Sequence, residues 1–502
     1  MKLKSLRILL KGCILIFIVN DVFAQLPDTL WSKIHDVTID LDEGKCVRQT
    51  NDGGFIITGS CVPNGMISAI DLALLKTDAT GNILWTKTYD RQFIEEGLAV
   101  EQTFDGGYLI GGRALNVTGP NPPSDHDSQV WILKTDSNGD TLWTKTYGRN
   151  EHDYCTSIAQ TQDSGYVLVG TKNAKMAYPP HCFLDCNDFY SSNTWLLKTN
   201  KDGDTLWSKS FIESSYGNCV KQTPDSGFII TGTLVSGNQM DIILIKTNAV
   251  GNTSWTKIIG TADSLDFGKF VQPVTDGYII TGHAGPLAGF VDAFLIKTDL
   301  QGNVIWKKTY GGFGGDMSDS GNYLEICPDG SIFVTGIKNA QWYIHYGDMW
   351  VFKTDAEGSL LWEKVYNVKV NDYSWSGCVT SDNSFVITGM TAGTGIGDGS
   401  IWLAKIGQGQ SGIRNDGIKN MNYVLSQNFP NPFNSETQIK YTISSPNLVT
   451  LKIYDILGQE VYSRIEDIQS AITKTIYLNA ENFSSGVYYY KLQVGNDYSE
   501  TK

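Results

Sequence analysis

Positive charge is scarce in this sequence. Its 39 lysines and arginines face 53 aspartates and glutamates, for a net charge of −14 and a sequence pI of about 4.9. A chain so acidic has no basic face wide enough to neutralise a phosphate backbone, which excludes nucleic acid as a partner. Between residues 31 and 405 the only arginines are Arg48, Arg91, Arg113 and Arg149, a thin supply for a carboxylate clamp. Beyond the N-terminus no apolar run approaches about 18 residues, so no transmembrane segment is expected in the mature chain. Helical periodicity of useful length is missing as well. So are the Gly-x-Ser-x-Gly and His-Glu-x-x-His signatures of hydrolases, and the six histidines are scattered at 35, 126, 152, 181, 283 and 345. What is present is 502 residues of which 11% are aromatic, too long for one ordinary domain and too aromatic for a disordered chain.

The N-terminus reads as an export signal. Lys2, Lys4 and Arg7 precede an apolar stretch from Ile8 to Val19, broken only by Lys11, and Val22-Phe23-Ala24 offers a small-residue cleavage site before Gln25. The stretch is too short to span about 30 Å of hydrocarbon, so residues 1–24 are expected to be a secretory signal peptide, with Cys13 inside the discarded segment. Eight of the nine cysteines then remain, an even number that permits disulfides in an exported chain. Cys182 and Cys186, close together in a Pro-rich insertion, are the candidate pair. His181 beside them raises zinc, but no second ligand pair stands at a recognisable spacing.

Three elements recur seven times each. A Trp-(Ser/Thr)-Lys-like run has its Trp at 31, 85, 143, 207, 255, 306 and 362. An apolar strand ends in Gly: Phe55–Gly59, Tyr108–Gly111, Tyr166–Gly170, Phe228–Gly232, Tyr278–Gly282, Phe333–Gly336 and Phe385–Gly389. A third run ends in Lys-Thr-Asp/Asn, its Lys at 76, 134, 198, 246, 297, 353 and, in degenerate form, 405. A fourth strand precedes each Asp-Gly turn, as in Cys46–Thr50. β-branched and aromatic residues dominate all four, and Asp-Gly or Asp-x-x-Gly turns separate them. A spacing of about fifty to sixty residues suits a four-stranded propeller blade. Because the series opens on a lone Trp strand and ends on a lone third strand, the N-terminal strand is expected to complete the last blade and close the ring.

The pattern Asp-x-x-Leu/Phe-x-Lys-Thr-Asp-x-x-Gly-Asn-x-x-Trp followed by Asp-Gly-Gly-Tyr-Ile-Ile-Thr-Gly resembles bacterial β-propeller repeats of extracellular and surface proteins, over residues 31–405. The resemblance implies a fold and leaves the activity open.

Loop parity separates two faces. The first-to-second and third-to-fourth turns are short and share one face; the variable connections share the other, where ligand sites usually sit. Insertions fall at Arg113–Gln129, Thr171–Asn193 and Ile337–Gly347. The last two carry Tyr178, Phe189, Tyr190, Trp342, Tyr343, His345 and Tyr346, candidate ligand-binding residues for a sugar ring or a protein partner. The fourth-to-first connections hold Asp40, Asp42, Glu43, Glu95, Glu96, Glu151, Asp153, Asp263, Asp266, Asp316, Asp319 and Asp372. Such acids either cap turns or, as a carboxylate ring, hold Ca²⁺ or do glycosidase acid/base work. Asp136–Asp140 and Asn200–Asp204 lack the bidentate Glu of a calcium loop and read as turns. The Asp136, Gly139 and Trp143 spacing is one residue wider at each step than sialidase boxes, and a quinoprotein reading rests only on repeated Trp and Gly.

After Lys405 comes a Gly/Ser/Asn-rich segment, with a flexible linker placed at 407–421. Gln427-Asn428-Phe429-Pro430-Asn431-Pro432-Phe433-Asn434 should be extended, since its prolines deny backbone donors. Strand-like runs follow at Thr437–Ile443, Val449–Tyr454, Gln459–Arg464, Lys474–Tyr477 and Gly486–Val494, a small antiparallel β-sandwich. The Gln427–Asn434 run, Ile453–Val461 with Gly458, and Ser485–Tyr490 with Gly486 resemble the type A sorting domain of the type IX secretion system of Bacteroidota. That resemblance implies Sec export, passage across the outer membrane by the type IX machinery through residues 422–502, and surface attachment or release. Such domains normally carry a further strand after Thr-Lys, whereas this sequence stops at Thr501-Lys502, so either the chain is truncated or its sorting is impaired.

The expected architecture is therefore all-β: signal peptide 1–24, seven-bladed β-propeller 25–406, linker 407–421 and sorting domain 422–502. The expected role is that of an exported ligand-binding or structural module with no cofactor, Ca²⁺ being held open for the acidic loops. The alternative is a carbohydrate-active propeller enzyme using acids of the variable face.

Overall fold

The computed structural model describes residues 27–38, 40–63, 69–91, 94–117, 126–148, 152–174, 192–287, 289–311, 317–341, 346–393, 399–408, 423–425, 436–443, 447–455, 459–468, 472–479, 483, 488–494 and 498–501. Every element among them is a β-strand. The chain divides into two compact units, Met1–Gly412 and Ile413–Lys502.

The first unit is built from four-stranded antiparallel sheets. Blade one runs Asp42–Gln49, Phe55–Cys61, Asp71–Thr77 and Ile83–Tyr89, hydrogen-bonded in chain order from the inner to the outer strand. Blades two to six repeat this order over residues 95–147, 152–213, 215–259, 264–310 and 318–366, a single parallel pair of Met240 with Leu265 linking blades four and five. Blade seven takes Asn371–Val379, Phe385–Ala392 and Ser400–Ile406 from the far end, and its outer strand is Thr29–His35 from the near end. Blade one packs directly against it: Asp42 N donates to Gly399 O at 2.8 Å, and Ser381 N donates to Gln49 Oε1 at 2.7 Å. This unit is a seven-bladed β-propeller with no free sheet end at the ring junction.

Apolar side chains from adjacent blades interleave to form the core. Ile56, Leu72 and Leu74 of blade one meet Val100, Ile110 and Leu133 of blade two, and the same layer recurs around the ring. Each such fully buried branched side chain contributes about 1.5–3 kcal/mol relative to an exposed one. Outer strands alternate exposed and half-buried residues, with the Trp of the Trp-Thr-Lys run on the half-buried face. That Trp packs on the first aromatic residue of the next blade's second strand, as Trp85 on Tyr108 and Trp31 on Phe55, with centroids 6.0 and 5.9 Å apart. The turn glycine of the next blade lies against the same indole: Gly81, at φ +80°, would put a Cβ 2.6 Å from Trp31.

Two further regularities explain the repeated Gly and Lys. Each inner strand carries a bulge, between Gly44 and Cys46 in blade one and at the matching place in the other six. The bulge pushes a carbonyl over the second strand, so a Cβ on Gly59 would fall 1.7 Å from Glu43 O. The third-strand Lys in turn reaches the Asp of the first-to-second turn in every blade, from Lys76–Asp52 through Lys405–Asp382, at 2.7 to 3.1 Å. These pairs gather the short turns on one rim. The other rim carries the variable connections, from two residues after Ser236 to residues 175–192 in blade three. Part of the expected insertions is strand rather than loop. The blade-two hairpin pairs out to Val117 with His126, and that of blade six to Gln341 with Tyr346, because the backbone ladder continues past the rim.

The second unit has two sheets. Tyr423–Leu425, Glu436–Ile443 and Ile472–Asn479 form one. The other is ordered Glu460–Ile468, Asn447–Asp455, Tyr488–Val494, Tyr498–Thr501. Ile439, Tyr441 and Ile476 of the first meet Leu451, Ile453 and Leu492 of the second in one core, as a β-sandwich requires.

Candidate functional site

The variable rim begins where each inner strand begins. Two residues before the bulge stand Asp42, Glu95, Asp153, Ser215, Asp266, Asp319 and Asp372, all 3 % exposed or less. Most of these acids serve their own connections. Asp42 accepts from Val37 N at 2.7 Å and Thr38 N at 3.0 Å; Asp372 accepts from Val368 N, Lys369 N and the Thr391 hydroxyl. Asp153 and Asp319 each accept from a backbone amide near the end of their own blade's second strand, Asn173 N and Asn339 N, at 2.8 Å. Asp266 accepts from the Ser264 hydroxyl at 2.6 Å. A carboxylate engaged by backbone donors is a cap rather than an available base. Glu151 and Asp316 lie outside the described residues.

At the axial end of this rim three blades meet in a charged and aromatic cluster. Lys45, in the bulge of blade one, pairs with Glu43 at 2.6 Å and lies 4.2 Å over the Trp375 ring of blade seven. Tyr373 stacks on the same indole at 6.0 Å. Arg113 of blade two pairs with Glu96 at 2.7 Å. Burial pushes the Glu96 carboxyl up, but the charges of Arg113 and Lys45, with the Arg113 hydrogen bond, more than reverse it and hold Glu96 below the usual range. Glu96 is thus an anionic acceptor at neutral pH, not a general acid. Lys45 and Tyr373 both pack on the half-buried Trp375, which ties blades one and seven together at this end of the rim.

Deeper along the axis Arg48 lies 5.2 Å over the Tyr323 ring and donates to Val47 O at 2.7 Å. Glu325 accepts from Val379 N and Glu101 from Gln160 N, so the inner strands hold the acids nearest Arg48 in cross-blade bonds. Burial pulls the Arg48 pKa down, but interaction with Cys46, then Tyr323, Glu101 and Glu325, more than reverses it and leaves Arg48 well above its ordinary pKa.

Of the ligand-binding candidates, Tyr178, Phe189, Tyr190, Trp342, Tyr343 and His345 lie outside the described residues. Tyr346 opens the third strand of blade six, with its backbone opposite Gln341. Cys182 and Cys186 also lie outside, whereas Cys46, Cys61, Cys155, Cys219, Cys327 and Cys378 are buried free thiols. Gln427, Asn428, Phe429, Pro430, Asn431, Pro432, Phe433, Asn434, Gly458 and Gly486 of the sorting motifs lie outside as well. Glu43 and Glu96 are among the acids expected on this rim, whereas Lys45, the partner of Glu43, and the Tyr373–Trp375 pair beside it were not expected there. Aligning the inner strands on the bulge, where Lys45 and Trp375 occupy the same position, would have brought those two together.

The structure resembles several solved proteins at low identity. One is a protein of unknown function from Dyadobacter fermentans (12% identity, 76% of this chain and 99% of the other, TM-score 0.44). Others are a quinohemoprotein alcohol dehydrogenase from Pseudomonas putida HK5 (12%, 81% and 80%, TM-score 0.39) and an acylaminoacyl peptidase from Pyrococcus horikoshii (11%, 83% and 58%, TM-score 0.39). No chemistry carries over from them to this chain. No curated protein matches the sequence. Among the described residues no helix is long and apolar enough to cross a membrane. Residues 427–502 match the family described as the secretion system C-terminal sorting domain, and the chain is accordingly one exported by type IX secretion to the cell surface or the medium.

Proposed function

We propose that this protein is an exported, non-catalytic binding module. Residues 1–24 act as the signal peptide for passage through the inner membrane, and residues 422–502 engage the type IX machinery. The propeller presents ligand on its variable rim, with the aromatic connections of blades three and six as contact surface and the Lys45–Trp375 cluster as floor. The observation that carries this reading is the state of the rim acids. Asp42, Asp153, Asp266, Asp319 and Asp372 are engaged by backbone or hydroxyl donors, and Glu43 and Glu96 by cations, which leaves them unsuited to acid/base chemistry.

A glycan array probed with the full chain, followed by product analysis of whatever it retains, tests the reading. Binding without cleavage, weakened at least tenfold by Trp342→Ala with Tyr343→Ala, is the expected result. Released oligosaccharide fragments would replace this reading with the carbohydrate-active enzyme. For export, deletion of residues 427–502 is expected to leave the protein inside the outer membrane.

A further inference from the structure

Where blade one meets blade two, three acids converge. Asp71 opens the third strand of blade one, Asp90 follows its outer strand, and Glu95 opens the inner strand of blade two. One carboxylate oxygen from each lies within 4.8 Å of the others, the only such grouping of acid, His or Cys ligands among the described residues. The backbone holds them there, for Ile70 and Ile94 form a parallel bridge and Glu95 N donates to Ile70 O at 2.6 Å. Oxygens at that separation fit together on a sphere of about 2.4 Å radius, the length of a Ca–O bond.

The repeat supplies its own control. The same three positions are Asp241, Gly260 and Asp266 after blade four, Asp292, Gly311 and Asp319 after blade five, and Asp348, Asn367 and Asp372 after blade six. There the acid at the Asp90 position is replaced by Gly or Asn, and in blades four and six side-chain donors supply partners. Asn367 and Asn339 donate to Asp348 at 2.8 and 3.0 Å, and Gln239 donates to Asp241 at 3.0 Å. Asp71 has no such relief. It is 9 % exposed, and its carboxylate makes no hydrogen bond or ion pair with any described residue. A buried carboxylate aimed at two others is a costly arrangement unless a cation completes it.

We propose that Asp71, Asp90 and Glu95 bind one Ca²⁺ ion that ties blade one to blade two at the variable rim, with water filling the remaining coordination positions. Three protein ligands with one of them exposed set the affinity in the range of about 10⁻⁴–10⁻³ M that serves extracellular modules. The site is independent of the binding role proposed above.

Calorimetric titration of the full chain, stripped with chelator, with CaCl₂ tests this, alongside melting in 5 mM CaCl₂ or in EGTA. The wild type is expected to show a saturable site in that range and a melting rise of about 2 °C. In Asp71→Asn with Asp90→Asn the affinity is expected to fall at least tenfold and the rise to vanish, while Asp241→Asn keeps both. In EGTA the double variant should melt at or above the wild type, because like charges have been removed. No saturable site in the wild type, an undiminished response in the double variant, an equal response to Mg²⁺, or a double variant melting lower in EGTA would each overturn the proposal.

Discussion

Trp31 stands opposite Lys405, in the same Lys–Trp register that Lys76 keeps with Trp85 and Lys353 with Trp362. The blade assembled from the two ends of the propeller therefore obeys the rule of the blades formed from continuous chain. Ser32 continues the clasp by accepting the Trp402 indole N–H at 2.8 Å. Trp31→Ala removes the packing on Phe55 and Gly81 and leaves a gap at the closure. A loss of about 2–3 kcal/mol is expected, less than for a fully buried Trp, read from urea unfolding followed by tryptophan fluorescence.

Acid should weaken the turn rim. Burial tends to raise Asp52, Asp225 and Asp382, but hydrogen bonds from the partner Lys, the neighbouring Thr and a backbone amide, with the Lys charge, outweigh it and hold all three down to about 2. A folded-state pKa below the unfolded value of about 3.9 contributes stability that is fully present above the latter and disappears as pH falls toward the former. Melting temperature measured between pH 5 and pH 2 is expected to drop across this window. Asp52→Asn, Asp225→Asn and Asp382→Asn combined should start lower at pH 5 and fall less steeply. The carboxylates are well exposed, so each contribution is modest.

Two neighbouring glycines should behave differently. Gly59→Ala drives a methyl into Glu43 O, and either blade one shifts or the bulge is lost, at a cost of at least about 3 kcal/mol. Gly53→Ala meets nothing within 4 Å and costs only the strain of φ +81°, about 1 kcal/mol. Equal destabilisation of the two variants by chemical denaturation would contradict the role assigned to the bulge.

Much of the fold was legible because it repeats. Trp, Lys and Gly return at fixed places in each blade, and the lone strands at the two ends foretold the clasp. The Lys–Asp pairs were harder to see, for the partners lie 21 to 35 residues apart as the intervening loop changes length. The axial cluster was hidden for a different reason: Lys45 and Trp375 meet only because the ring brings blade seven back to blade one. The rim acids looked alike in sequence. Asp42 is set apart as a cap by the amides of Val37 and Thr38, which composition does not reveal, and Asp71, at the start of a third strand, was not among the acids expected there.

Closure of the ring is the claim on which the rim, the clasp and the cluster all depend. Ser32 and Ala404 face each other in the closing pair of strands. In the variant Ser32→Cys with Ala404→Cys, mild oxidation should join the two positions and change the mobility of the denatured, non-reduced chain, a change reversed by reductant. Two thiols that stay free under those conditions, with the protein folded, would show that the N-terminal strand does not complete blade seven.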